Sequence, residues 1–147
     1  MSPESLSLDQ LPDWARELIG AARVAHLGLI DSHDRPRVLP VTYAVAAGAL
    51  WSAVDHKPKR TEGHNLARVR WLRANPAAAL TVDRYSDDWA RLAWVQAVGR
   101  IEVLDEPDPA ALAALCEKYE QYRERPPEGP HLRLVPSRVL CWRADAL

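Results

Sequence analysis

Lys57-Pro58-Lys59-Arg60-Thr61 brings three cations and a hydroxyl into five consecutive residues. Clustered N–H donors of this kind grip phosphate, and a helix start just beyond them adds unpaired backbone N–H groups and a favourable dipole. Pro58 stiffens the loop and lowers the ordering cost of binding. Taken alone, such a tetrapeptide reads as a solvated loop; its position between a strand and a helix start is what raises an anion site to an equal reading. Residues 57–73 hold Lys57, Lys59, Arg60, Arg68, Arg70 and Arg73 against Glu62, a local excess of five positive charges in a chain whose net charge is −1. A basic patch on an otherwise acidic chain suits a small anionic ligand. A nucleic-acid footprint would spread over a basic domain.

Other chemistry-bearing residues are less organised. Trp51 and Trp94 fall in expected strands, where the alternatives are core packing and the wall of an aromatic cofactor pocket. Trp14, Trp71, Trp89 and Trp142 read as packing or dimer-contact residues. His26, His33, His56, His64 and His131 show no ligand-like spacing, and no metal site is expected. Asp83, Asp87 and Asp88 crowd one strand end and read as a turn with capping carboxylates. Cys116 and Cys141 fit no CxxC pattern and are expected as free thiols. The dinucleotide, Walker, HExxH and GxSxG signatures are all missing, and no catalytic residue can be named from spacing.

The elements that must hold these residues follow from periodicity. A first helix is expected from about Asp9 to Ala21, after a capping-box-like Ser7-Leu8-Asp9-Gln10. Residues 24–30 and 38–45 read as a β-hairpin turning at Asp31-Ser32-His33-Asp34. Pro40 is expected at a bulge, at an edge or beside a ligand, since it cannot donate to a ladder. A third strand spans 49–54. After the basic loop, a helix from about Glu62 to Ala74 stops at Asn75-Pro76. Strands at 78–85 and 92–104 follow, then a helix from Pro107 to about Arg123, a Pro-rich loop over 125–130, and a last strand at 137–143. Short turns between consecutive strands argue for an antiparallel sheet that six strands would close into a small barrel. The fold class is mainly β (α+β), one domain of 147 residues with flanking helices. The start of the chain lacks a secretory pattern and no apolar run is long enough to span a bilayer, so a cytoplasmic protein is expected.

Arg35-Pro36-Arg37-Val38-Leu39-Pro40-Val41, Leu50-Trp51-Ser52-Ala53-Val54-Asp55, Lys57-Pro58-Lys59-Arg60, Asn75-Pro76-Ala77-Ala78-Ala79-Leu80 and Trp94-Val95-Gln96-Ala97-Val98-Gly99-Arg100 together resemble the pyridoxamine-phosphate-oxidase-like, or FMN-binding, split β-barrel superfamily. Within it the chain looks most similar to the branch that uses the deazaflavin coenzyme F-420. The resemblance covers about residues 15–143. It implies a six-stranded antiparallel split β-barrel and a homodimer with two cofactor sites at the subunit interface. The ring would lie against Arg37–Thr42, including Pro40, Val41 and Thr42. Trp51, Ser52 and Ala53 would line the site, Lys57, Lys59 and Arg60 would bind phosphate, and the partner strand at Trp94–Gln96 would add contacts. The flavin-mononucleotide oxidases of the superfamily carry Gln where Trp94 stands and an Arg-Lys pair near Lys57-Pro58. Trp142 and Arg143 do not reproduce their C-terminal Trp and Arg. The implied function is hydride transfer between F-420 and a small molecule; the alternatives are an FMN-binding oxidoreductase and a non-catalytic module that binds cofactor or haem.

Overall fold

The computed structural model describes residues 6–54 and 66–144. Along the chain these form α1 (Asp13–Ala21), β1 (Ala25–Ile30), β2 (Pro36–Val41), β3 (Ala44–Ala46), β4 (Ala49–Ala53), α2 (Ala67–Ala74), β5 (Ala77–Arg84), β6 (Ala93–Leu104), α3 (Pro109–Lys118), α4 (Glu120–Glu124) and β7 (His131–Arg143). The strands make one antiparallel sheet in the order β2-β1-β5-β6-β7-β4-β3. Its two end strands, β2 and β3, are consecutive in the chain and joined only by Thr42 and Tyr43. The sheet must therefore curl until its ends meet. The ring closes through the covalent chain and not through a hydrogen-bonded ladder, which makes it a split barrel.

This corrects the expected six strands to seven. Residues 38–45 do not run as one strand, because Val41 pairs with Ala25 of β1 while Ala44 pairs with Trp51 of β4, at the opposite end of the sheet. The last strand begins at His131, six residues earlier than its alternation suggests. Pro136 hides it: a proline is a poor ladder residue, yet here it stands opposite Gly99 at a register shift where no N–H is needed. The first helix starts at Asp13 and not at Asp9. Leu8–Gln10 form a separate 3-10 turn, Pro12 takes the cap position, and the Ser7 hydroxyl goes to the Asp9 carboxylate. The long third helix is interrupted at Tyr119, whose backbone is extended.

Buried residues alternate along β1, β5 and β6, so Leu27, Leu29, Leu80, Val82, Val95 and Ala97 fill the barrel with Leu134 of β7, plugged by Leu11, Ala15 and Ile19 around α1. The expected turn at 31–34 forms, with Asp34 in the left-handed region at φ 59°. Its anchor is the buried Asp31, which accepts the N–H groups of His33 (2.8 Å) and Arg35 (3.0 Å). Burial alone would raise the Asp31 pKa; these N–H groups and the guanidinium groups of Arg35 and Arg37 overcome it and hold it down at about 2. Pro40 lies in an end strand, as an edge residue should. Asp88 caps the short 3-10 turn at Trp89–Arg91 through the Ala90 N–H, the carboxylate role its position suggested.

Candidate functional site

Where the barrel splits, the backbone of Thr42 and Tyr43 leaves both ladders, and buried peptide groups without partners are costly. Two side chains, Ser52 and Tyr119, take up the Thr42 carbonyl and the Tyr43 N–H and carbonyl. Ser52 on β4 donates its hydroxyl to the Thr42 carbonyl at 2.8 Å. The Tyr119 hydroxyl accepts the Tyr43 N–H at 3.1 Å and lies 2.8 and 3.1 Å from the carbonyls of Arg23 and Tyr43. Tyr122 on α4 shares a 2.6 Å hydrogen bond with the Thr42 hydroxyl. The Tyr43 hydroxyl donates to the Ile19 carbonyl, tying the split to α1. These demands explain why the third helix breaks at Tyr119: its phenol is needed at the barrel corner.

α3 and α4 lie over the outer side of β3 and β4. Ala44, Ala53, Leu115, Tyr119 and Tyr122 form one cluster there, and Ala49, Trp51 and Ala111 another. His131 helps to seat α3: its Nδ1 accepts the Asp108 N–H at 3.1 Å, while Asp108 caps the helix through the Ala111 N–H. Burial lowers the His131 pKa, consistent with a neutral ring in that role. Among the described residues, the outer face from Pro40 to Trp94 stays exposed or half-buried. Across it Pro40 pairs with His26, His26 with Thr81, and Thr81 with Gln96, while Trp94 stands between Asp83 and Trp142. His26, Thr81, Asp83, Trp94 and Gln96 line a concavity of about 480 Å³, braced by a 3.0 Å hydrogen bond from Gln96 to Thr81.

The sequence-derived site residues thus divide into four sets. Pro40 and Trp94 share the open outer face. Trp51, Ser52 and Ala53 are buried with Val41, and their polar atoms are used internally: Trp51 Nε1 donates to the Ala46 carbonyl and Ser52 serves the split. Thr42 is half-buried at the boundary between the two. Lys57, Lys59 and Arg60 lie outside the described residues. The chain approaches them from a fixed point, since the Val54 N–H donates to the Pro130 carbonyl at 2.9 Å and Gly129 packs against Val54. Of the further arginines, Arg73 is engaged by Asp105 at 2.5 Å. Among the described residues no group of His, Cys, Asp and Glu is gathered as a metal site would need, and both cysteines are free.

Sequence reasoning missed the hydroxyl cluster at the split. Tyr119 was legible only as a buried helix-face residue, because its partners lie 76 and 96 positions away. It also missed Lys118, whose ammonium sits 3.8 Å from the Tyr43 ring centroid with Arg23 nearby. Burial first, and Arg23 second, depress the Lys118 pKa to about 8. A lysine whose folded pKa lies below its unfolded value contributes stability only as pH rises through that interval. Above about pH 10 the raised pKa values of Tyr43 and Tyr119 act in the opposite sense. Chemical denaturation should therefore show stability rising between pH 8 and about pH 10, and Lys118→Met should flatten that rise.

The pyridoxamine 5'-phosphate oxidase family matches the chain over residues 11–143. No curated protein sequence matches it. Among solved structures, an F420 reductase superposes with a TM-score of 0.67 at 18% identity, covering 88% of this chain and 98% of that one. A FAD-binding protein from Mesorhizobium loti gives 0.62 at 21%, covering 96% and 97%. A haem-binding protein from Mycobacterium smegmatis gives 0.70 at 20%, covering 90% of this chain and 54% of its own. At these identities the likeness is one of fold.

Proposed function

We infer, from the premise that this chain belongs to the pyridoxamine 5'-phosphate oxidase family, that it is an oxidoreductase using a flavin-like cofactor, the deazaflavin coenzyme F-420. The observation that carries the reading is one surface. Pro40 and Trp94 share the uncovered outer face, and β2, as an end strand, offers peptide groups along an edge that no described strand pairs with. An aromatic ring system fits such an edge, with Pro40, Val41 and Thr42 behind it. Lys57, Lys59 and Arg60 take the phosphodiester. Trp51, Ser52 and Ala53 act from within, holding the shape of the strand and helix that back the site. Trp94 in place of Gln, and Lys57-Pro58 in place of an Arg-Lys pair, favour F-420 over FMN.

When bound, F-420 supplies a hydride to an electrophilic carbon of a small molecule. The chain's own residues bind and orient both reactants and exclude water. Two copies make the site: Val38, 68% exposed, and Trp142, 38% exposed, extend the apolar surface around Pro40 and Trp94 that a second copy covers. We place this homodimer in the cytoplasm; among the described residues no helix is long and apolar enough to cross a membrane.

Titration with oxidised and reduced F-420, FMN and haem, followed by tryptophan fluorescence, tests the reading. F-420 should bind in the low micromolar range, about −8 kcal/mol, and more tightly than FMN. Absence of F-420 binding at tens of micromolar would overturn it. Tight haem binding with no F-420 binding would support a non-catalytic module instead.

A further inference from the structure

We propose that Tyr122 is a positioning residue for the cofactor, acting through Thr42; the inference rests on the F-420 reading above. Pro40, Thr42 and Ala44 pass from exposed, through half-buried, to buried. Pro40 lies on the open face, and Ala44 is covered by α3 and α4 in the same cluster as Tyr122. Thr42 therefore stands where the open face meets the covered one. A threonine hydroxyl on irregular backbone can occupy more than one rotamer, and a ligand that uses it has to fix it. Here it is fixed in advance. The 2.6 Å bond to Tyr122 sets the side chain, and the 2.8 Å bond from Ser52 sets the direction of the adjoining carbonyl.

Tyr122 is itself held by its neighbours. Its side chain is buried, its ring meets that of Tyr119 edge-on with centroids 5.3 Å apart, and its carbonyl accepts the Cys116 thiol at 3.3 Å. The corner does not need this bond to satisfy its backbone, because Tyr119 and Ser52 serve the peptide groups. The Tyr122–Thr42 bond joins two side chains, and its consequence is the orientation of one hydroxyl beside the proposed ring strand. Preorganisation of this kind lowers the cost of binding.

Cofactor titration of wild type, Tyr122→Phe, Thr42→Val, Thr42→Ser and the Tyr122→Phe/Thr42→Val double variant tests the proposal, with thermal midpoints measured alongside. Tyr122→Phe and Thr42→Val should each weaken F-420 binding about five- to tenfold, the effect of one neutral hydrogen bond. The double variant should be no weaker than either single one, and Thr42→Ser should restore affinity to within about twofold of wild type. A role confined to the fold would lower midpoints and leave the dissociation constants unchanged, which would overturn the proposal. If Tyr122→Phe does not fold, the contrast between Thr42→Val and Thr42→Ser decides in its place. Wild type that binds no F-420 overturns the functional reading itself, an outcome distinct from wild type and Tyr122→Phe binding equally well.

Discussion

Gly99→Ala is expected to lower the stability of this chain by about 3 kcal/mol, at the upper end of what overpacking costs. A Cβ on Gly99 would stand 2.7 Å from the Val135 carbonyl oxygen and 3.2 Å from both the Ser137 N and a Leu134 methyl. The first and second of these are backbone atoms, which no rotamer change can move aside. The site is the one register shift in the β6–β7 ladder, where Val98 pairs with Arg138 but Gly99 pairs with Pro136. Ser137 is the extra residue, and its hydroxyl recovers the Val98 carbonyl at 3.1 Å. β6 stays paired to β5 through the bulge as far as Arg100, and β7 is paired to β4 only beyond it, over 131–134. A bulge increases local bend and twist, so this is where one half of the sheet rolls over the other. An alanine would push the two halves apart where the barrel turns. Urea denaturation should show the loss, and the thermal midpoint should fall by about 10 °C. Gly28→Ala provides the contrast. Its Cβ would meet only the Ala79 carbonyl at 3.8 Å, an ordinary contact, and stability should change by about 0.5 kcal/mol or less. A Gly99→Ala variant as stable as Gly28→Ala would mean that the bulge can open without cost.

The same region shows what the sequence does and does not disclose. Apolar runs bounded by turn residues located β1, β4, β5 and β6, and in β1, β5 and β6 the buried positions recur with a period of two. Continuous burial on both faces of β4 is also visible, as an unbroken run of small and apolar residues from Ala49 to Ala53. The split at Thr42-Tyr43 is not visible. Nothing local to Val41-Thr42-Tyr43-Ala44 departs from a strand pattern; the break comes from the two flanking segments finding partners at opposite ends of the sheet. Pro136 misled for the complementary reason. Its cost as a ladder residue is real, but Gly99, 37 positions earlier, removes the demand it fails to meet. For the proposed site, the apolar strand residues were legible by type, while Lys57, Lys59 and Arg60 lie outside the described residues. The hydroxyls of Ser52, Tyr119 and Tyr122 were not legible, since a tyrosine on a helix face reads as packing until its distant partner is known. Trp51 illustrates the limit of residue type most directly. It was open to two readings, core or pocket wall, and the helix laid over β4 buries it, with only 2% of its surface exposed.

Replacing Lys57, Lys59 and Arg60 together with alanine is expected to abolish measurable F-420 binding while leaving the fold intact. Each cation that donates to a phosphate oxygen makes a charge-assisted hydrogen bond, whose loss costs about 1–3 kcal/mol. Single variants Lys57→Ala and Lys59→Ala should therefore weaken binding by about tenfold to a hundredfold, and Arg60→Ala should fall in the same range. The triple variant removes three of the six positive charges in residues 57–73 and with them most of the local attraction for an anion. Wild-type affinity should also fall as salt is raised from about 50 to 500 mM, because screening acts on an exposed charge pair, and this slope should flatten in each variant. A role confined to binding phosphate predicts a stability shift of about 0.5 kcal/mol or less. The separation of the two readouts is what gives the experiment its force. A stretch that matters only as solvated surface would leave both affinity and stability unchanged, and a stretch that matters only to the fold would lower stability and affinity together. Loss of affinity at constant stability, with a weaker salt dependence, is the pattern that belongs to phosphate held by Lys57, Lys59 and Arg60. Unchanged dissociation constants in all three single variants would move the phosphate site elsewhere on the barrel.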